Sequence, residues 1–271
     1  MNITAESTWN LLRNIHQNKP LVHCITNMVT VNECANILLA AGASPTMAHH
    51  PMEVVEVTGG CKSLVCNLGA TEYMDSMLLA AGKAEEYHHP LVIDPVGVSG
   101  SSFRRNFCYK LIDRARPSCI RGNMSEIMAL IRDENTVTGV DAGMDVPDGA
   151  NIDEIHDFAV RHNTVVIASG AVDYVVSPDV AYKVENGSSF MTRITGSGCM
   201  SSALLGAFLC EENSPMGCAI CCAVMGICGE IAEDKTRKLN GGTMTFRDML
   251  IDSVSLLTKE QIEERMKIKF C

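Results

Sequence analysis

The sequence contains no G-x-x-x-x-G-K-[S/T], and no G-x-G-x-x-G follows its first strand-like run. The first absence excludes a P-loop nucleoside triphosphatase; the second removes the fingerprint of a dinucleotide-dependent dehydrogenase. Long apolar runs are also missing. The longest, Met216 to Cys228, falls short of the ~20 residues that span a bilayer. Met1 to Gln17 is polar and amphipathic, without the apolar centre of a secretory signal. Basic residues are in deficit, 22 against 32 acids for a net charge of −10. That balance argues against a general binder of nucleic acid or of an anionic membrane, so any phosphate compound must be held locally by dipoles, a few cations or a metal. There is no repeat and no low-complexity stretch.

Cysteine, by contrast, is abundant. The count of thirteen is odd in a chain of 271 residues, and Cys34, Cys66 and Cys108 lie within apolar stretches, so mostly buried free thiols in a reducing cytoplasm fit better than disulfides. Cys218-Ala-Ile-Cys221-Cys222 contains a C-x-x-C, but it sits in an apolar helical run with no second pair at zinc spacing. It reads as core packing in preference to a metal site. In His49-His50 and His88-His89 the side chains point apart in regular structure, so neither pair alone makes a chelate.

With 46% hydrophobic and 20% charged residues, the chain suits a globular enzyme with a sizeable core. Short β-type runs alternate with helix-length patterns. Strands are expected at 21–25, 63–67, 91–93, 118–120 and 164–168, with a hairpin over 173–184 around Ser-Pro-Asp. Apolar residues recur at helical spacing over 31–41, 75–87, 103–115, 152–162, 201–210 and 215–234. Strands apolar on both faces imply an α/β fold, a mostly parallel sheet covered by helices on each side. The simplest division is one domain, 1–271, with 144–149 as a surface loop.

Ligands of such folds bind at the carboxyl ends of the strands. Polar residues, acids and glycines gather at these exits: His23-Cys-Ile-Thr26-Asn27, Asn67-Leu-Gly69, Asp94-Pro-Val-Gly97, Arg121-Gly122-Asn123 and Ser169-Gly170. Asp94, stiffened by Pro95, suits a magnesium contact or an Asx-Pro turn. Glu126, three residues after Asn123, suits either the metal or a capping box. Arg121 is the cation of the set, with a guanidinium that pairs with phosphate. Thr195-Gly196-Ser197-Gly198-Cys199 leads into an apolar helix, so its backbone N–H groups form an anion hole with a thiol on the first turn. Phosphoryl transfer needs these parts and little covalent chemistry.

Seven segments in order carry a resemblance to the hydroxyethylthiazole kinase family, from about Leu11 to Leu257. They are Val22-His-Cys-Ile-Thr-Asn27, Asn32 with Ala35-Asn36, Gly42-Ala-Ser-Pro-Thr-Met47, Asn67-Leu-Gly69, Asp94-Pro-Val-Gly97, Arg121-Gly-Asn-Met-Ser-Glu126 and Thr195-Gly-Ser-Gly-Cys199. The resemblance implies a ribokinase-like fold and ATP-dependent, Mg²⁺-assisted phosphorylation of 4-methyl-5-(2-hydroxyethyl)thiazole for thiamine synthesis or salvage. It also implies Met47, Gly196 and Asn27 around the thiazole, and Arg121, Ser169 and Thr195 around ATP. Asp94 and Glu126 would serve the metal and phosphates, with Cys199 at the catalytic position and a homotrimer with sites between subunits. Two positions depart from the family: Ser99 stands where another glycine is more common, and Ala171 replaces a glutamate. The competing readings are a related kinase of a hydroxymethylpyrimidine-type alcohol and a non-catalytic thiazole or nucleotide sensor. A thiol-rich metal binder is a further alternative.

Overall fold

The computed structural model describes residues 3–134 and 149–271; of the expected 144–149 loop, 144–148 lie outside the described residues, and Gly149 opens a helix. Runs of aliphatic residues form β1 (Leu21–Ile25), β3 (Ser63–Asn67), β4 (Leu91–Asp94), β5 (Cys119–Asn123) and β6 (Val165–Ser169). Each buries side chains on both faces, which a strand does when helices cover the sheet on each side. The sheet is completed by β2 (Ser44–Thr46) at one edge and, on the other side, by β7 (Asp173–Val176), β8 (Ala181–Val184) and the edge strand β9 (Ile268–Phe270). The nine-stranded order is β2-β1-β3-β4-β5-β6-β7-β8-β9. Pairing is parallel from β2 through β6 and antiparallel from β6 to β9.

Alternate residues of each strand feed two cores. Val22, Cys24, Val65, Val92, Cys119 and Ile167 face α1 (Ala5–Asn18), α2 (Val31–Ala40), α8 (Ser197–Glu211), α9 (Pro215–Lys238), α10 (Thr243–Ser255) and α11 (Lys259–Arg265). Ile25, Leu64, Cys66, Ile93, Ile120 and Val166 face α3 (Val54–Gly60), α4 (Met74–Glu86), α5 (Ser102–Arg114), α6 (Met124–Arg132) and α7 (Gly149–His162). Each fully buried aliphatic side chain contributes about 1.5–3 kcal/mol, so two full faces give α8 a rigid seat over β1, β3 and β4.

The expected helices all form, with ends shifted by a few residues, and the hairpin over 173–184 forms as β7 and β8. Three differences matter. The 215–234 helix runs to Lys238, making it long and apolar enough by length and composition to cross a membrane; 78% of its apolar window is nevertheless buried inside the protein. It packs against α8 and α10 and carries Cys218, Cys221 and Cys228 into the core. Second, the helix expected from residue 201 begins at Ser197, because Gly196 supplies the left-handed turn into it. Third, Arg121 to Asn123 are still strand residues, since Gly122 pairs with Ala168 and Asn123 with Ser169. All thirteen cysteines are free thiols.

Candidate active site

Strand register assembles the centre of the site. β3 and β4 pair with Asn67 opposite Asp94, and the Asn67 amide donates to Asp94 Oδ2 at 2.8 Å. The same Nδ2 donates to Cys199 Sγ at 3.2 Å, joining the sheet to the first turn of α8. Asn67 Oδ1 accepts from Asn27 Nδ2 at 3.1 Å and from the Gly69 N–H at 3.0 Å. Asn27 Nδ2 also lies 3.6 Å from Cys199 Sγ, and its Oδ1 accepts from the Val29 and Thr30 N–H groups. The exits of β1 and β3 thus cage the thiol with two amides whose orientations are fixed by their other bonds.

The start of α8 is open. No side chain caps it, and its N-cap, Gly196, has φ +87°. A Cβ there would lie 2.6 Å from Thr30 Cγ2, so both the turn and the space demand glycine. Gly198 lets the Arg121 guanidinium approach closely, for a Cβ would meet its Nη1 at 2.8 Å. Arg121 Nη2 donates to Ser169 Oγ at 2.9 Å, and Ser169 in turn donates to the Gly122 carbonyl. A guanidinium beside an uncapped helix N-terminus makes a place for a phosphate group.

Glu126 forms the capping box that the sequence allowed. Its Oε2 accepts from the Asn123 N–H at 3.1 Å while Asn123 Oδ1 accepts from the Glu126 N–H, a full capping box. Its Oε1 accepts at 2.9 Å from the N–H of Gly97, in the turn after Asp94. Burial first, then repulsion from Asp94, pushes Glu126 up to about 7. Burial likewise raises Asp94 against the pull of Arg121, Ser202 and Asn67. Asp94 and Glu126 are 2% and 4% exposed. Two buried carboxylates that repel each other, with the buried Ser202 hydroxyl beside Asp94, form an all-oxygen set that fits Mg²⁺.

Cys199 is a neutral thiol at neutral pH. Burial and then the Asp94 charge raise its proton affinity, and the donors on Thr30, Asn67 and Asn27 only partly offset them. Burial works against the charge of Arg121, but Asp94, Asp173 and Glu126 outweigh it and keep the guanidinium protonated.

Of the residues singled out from sequence, Asn27, Asp94, Arg121, Glu126, Ser169, Gly196 and Cys199 converge here. Met47 follows β2, half-buried against the core face that also receives Ile194 and Cys199. Thr195 is exposed just before the Gly196 cap, and Ala171, also exposed, follows the Ser169-Gly170 exit. Sequence reasoning left four residues without a role: Asn67, Thr30, Ser202 and Asp173. Asn67 lay in a quoted exit motif, and Ser202 falls one helical turn beyond Cys199. Thr30 becomes visible only through Gly196. Asp173, at the start of β7, accepts from the Gly170 N–H and faces Arg121 and Cys222, with burial raising it to about 6.

Solved structures place this arrangement in a class. A Bacillus subtilis pyridoxal kinase in complex with ADP has a TM-score of 0.56 over 78% of this chain and 91% of that one at 14% identity, a likeness of fold alone. A hydroxyethylthiazole kinase from Pyrococcus horikoshii OT3 is far nearer, with a TM-score of 0.88 and 30% identity over 98% and 99% of the two chains. The molecule is a ribokinase-like small-molecule kinase. Within that class, the chain belongs to the hydroxyethylthiazole kinase family, whose pattern matches residues 12–260. Hydroxyethylthiazole kinase 2 of Clostridium botulinum is 38% identical over 94% of this chain and 97% of its own length. Hydroxyethylthiazole kinase 1 of Methanosphaera stadtmanae is 40% identical over 98% of each.

Proposed function

We propose that the chain, acting as one domain, transfers the γ-phosphoryl group of ATP to the primary hydroxyl of 4-methyl-5-(2-hydroxyethyl)thiazole, in thiamine synthesis or salvage in the cytoplasm. The observation that supports this most is the meeting of Asp94, Asn67 and Cys199 with the open start of α8 beside Arg121. Met47, the Gly196 backbone and Asn27 hold the thiazole, so that its hydroxyl points at Cys199. Arg121, Ser169 and Thr195 bind ATP, and the N–H groups of Ser197 to Cys199 face the transferring group. Asp94 and Glu126 would hold Mg²⁺, which supplies neutralisation of phosphate charge when bound. The alcohol oxygen forms the new O–P bond as the bond to ADP breaks, and the hydroxyl proton passes to an oxygen of the transferred phosphoryl group.

A buried neutral thiol is a poor base. Cys199 therefore orients the hydroxyl through a hydrogen bond to its sulfur, while positioning and electrostatics carry most of the rate. We further propose a homotrimer with sites between subunits, free of nucleic-acid or membrane partners. The test is an ADP-release assay with the thiazole alcohol in the presence of Mg²⁺, comparing the parent with Arg121→Ala. Alcohol-dependent ADP release, with the KM for ATP raised much more than that for the alcohol in the variant, supports the reading. Turnover of a hydroxymethylpyrimidine alcohol in preference to the thiazole overturns the substrate, and absence of alcohol-dependent release overturns the reaction.

A further inference from the structure

His23 lies in the middle of β1 with 0% exposure, and the chemistry proposed above does not use it. Its register partner on β2 is Thr46, the residue before Met47. The ring makes two short contacts: Nε2 with the Ala48 carbonyl at 2.8 Å, and Nδ1 with Thr58 Oγ1 of α3 at 2.9 Å. A carbonyl can only accept, so Nε2 carries the proton and donates to Ala48. In a neutral ring Nδ1 is then an acceptor, and the Thr58 hydroxyl is its donor. Burial lowers the proton affinity of His23 and so keeps the ring neutral. The Thr58 hydroxyl also lies 2.6 Å from the Val54 carbonyl, so its one proton is shared between that carbonyl and Nδ1, which ties the pair to the α3 backbone.

Within the segment pinned in this way, His49 Nδ1 lies 3.2 Å from the Met47 carbonyl, and the His50 carbonyl accepts from the Glu53 and Val54 N–H groups. β2 ends at Thr46, and residues 47–50 have no regular structure. On the outer side, Ser76 Oγ donates to the His49 carbonyl at 2.6 Å, and the His49 ring stacks on Tyr73. On the inner side the tie is the His23 ring.

We propose that His23 is a positioning residue: its Nε2–H fixes Ala48, and through it Met47, so that it sets the affinity for the alcohol substrate and leaves the transfer step unchanged. This rests on the reading that Met47 lines the alcohol site. A buried donor whose removal orphans a carbonyl has a disproportionate local effect, here on one wall of the pocket.

Two variants separate the hydrogen bond from mere bulk. In His23→Gln the terminal amide can reach the Ala48 carbonyl in place of Nε2, whereas the shorter amide of His23→Asn reaches only toward Thr58. Hydrogen exchange of the 44–52 segment in the ligand-free protein is expected to speed up in His23→Asn and to remain near the parent rate in His23→Gln. In the same His23→Asn protein the KM for the thiazole alcohol should rise about 10-fold, with kcat and the KM for ATP within about 2-fold of the parent. Unchanged exchange of 44–52 in folded His23→Asn overturns the proposal, as does a rise in the KM for ATP that matches the rise for the alcohol. Should His23→Asn fail to fold, Thr58→Val removes the partner that fixes the ring, and faster exchange of 44–52 is again the expected result. A parent inactive on the thiazole alcohol overturns the substrate reading, while the exchange result still decides whether His23 holds the segment.

Discussion

Carboxylates at the two ends of this sheet behave in opposite ways. On the antiparallel side, Glu185 accepts from Lys269 at 2.6 Å and lies 2.9 Å from Lys183, and the two ammonium groups hold it down to about 2. Where the parallel strands end, Asp94, Glu126 and Asp173 are all raised by burial, and Arg121 is the cation common to the three. Charge at the edge is matched within the chain. At the strand exits it is left under-matched, with buried acids outnumbering the guanidinium they share. Such buried, under-matched acids either keep a proton or take a ligand that completes the balance, and they gather at functional sites.

Substitutions should separate the two ends. Asp94→Ala removes one of the carboxylates assigned to the metal and phosphates, and kcat is expected to fall by at least about 10³-fold with folding retained; full activity in this variant would dissolve the distinction. Arg121→Ala is expected to raise the KM for ATP roughly 30- to 100-fold, the scale of lost charge-assisted hydrogen bonds, with little change for the alcohol. Cys199→Ala should lower kcat by about 10- to 100-fold, and Cys199→Asp should stay active; a loss in Cys199→Ala beyond about 10⁴-fold without misfolding would mean that the thiol dominates.

The pH dependence has a definite sign. Asp173 is raised to about 6 in the folded chain, so the folded state keeps a proton that the unfolded chain has already released. The resulting stability is complete below the unfolded value and is lost as pH rises through 6. Asp173→Asn cannot titrate. Its Tm relative to the ligand-free parent should therefore climb by a few degrees, about 2–5 °C, between pH 5 and pH 8. The comparison cancels buried neutral histidines such as His23, which contribute with the opposite sign. Glu185 is depressed, so its contribution is present above its unfolded value and is lost only as pH falls toward 2. Glu185→Gln should give the smallest effect, a Tm within roughly 2 °C of the parent at pH 7 and unaltered kinetics, because an exposed ion pair is screened by solvent.

Much of this contrast was legible in the chain. Doubly apolar runs such as Leu64-Val65-Cys66 mark buried parallel strands, and the acids and glycines that follow them mark the exits. β2 was not legible, because Ser44-Pro45-Thr46 has no apolar alternation and forms only beside β1. The short edge strand β9 was hidden for a similar reason. α1, α3, α10 and α11 also escaped notice, α3 because seven residues ending in Gly59-Gly60 carry too little periodicity. Asp173 looked like a hairpin residue, and only the β6–β7 pairing turns it toward Arg121. Asn67 stood in plain view at an exit, but its link to Asp94 comes from register, a property of two strands that no single segment contains.

That asparagine also bears on how the molecule ages. Asparagine decays when the nitrogen of the following residue attacks the side-chain carbonyl, and the aspartate so formed would place a second carboxylate against Asp94, beside the Cys199 thiol. Here the Leu68 nitrogen donates to the Asp94 carbonyl at 2.9 Å, and the Asn67 side chain is held at both ends by four partners. The attacking nitrogen and its target are both engaged elsewhere. The bonds that organise the pocket thereby also protect it from spontaneous chemical damage for as long as the fold persists.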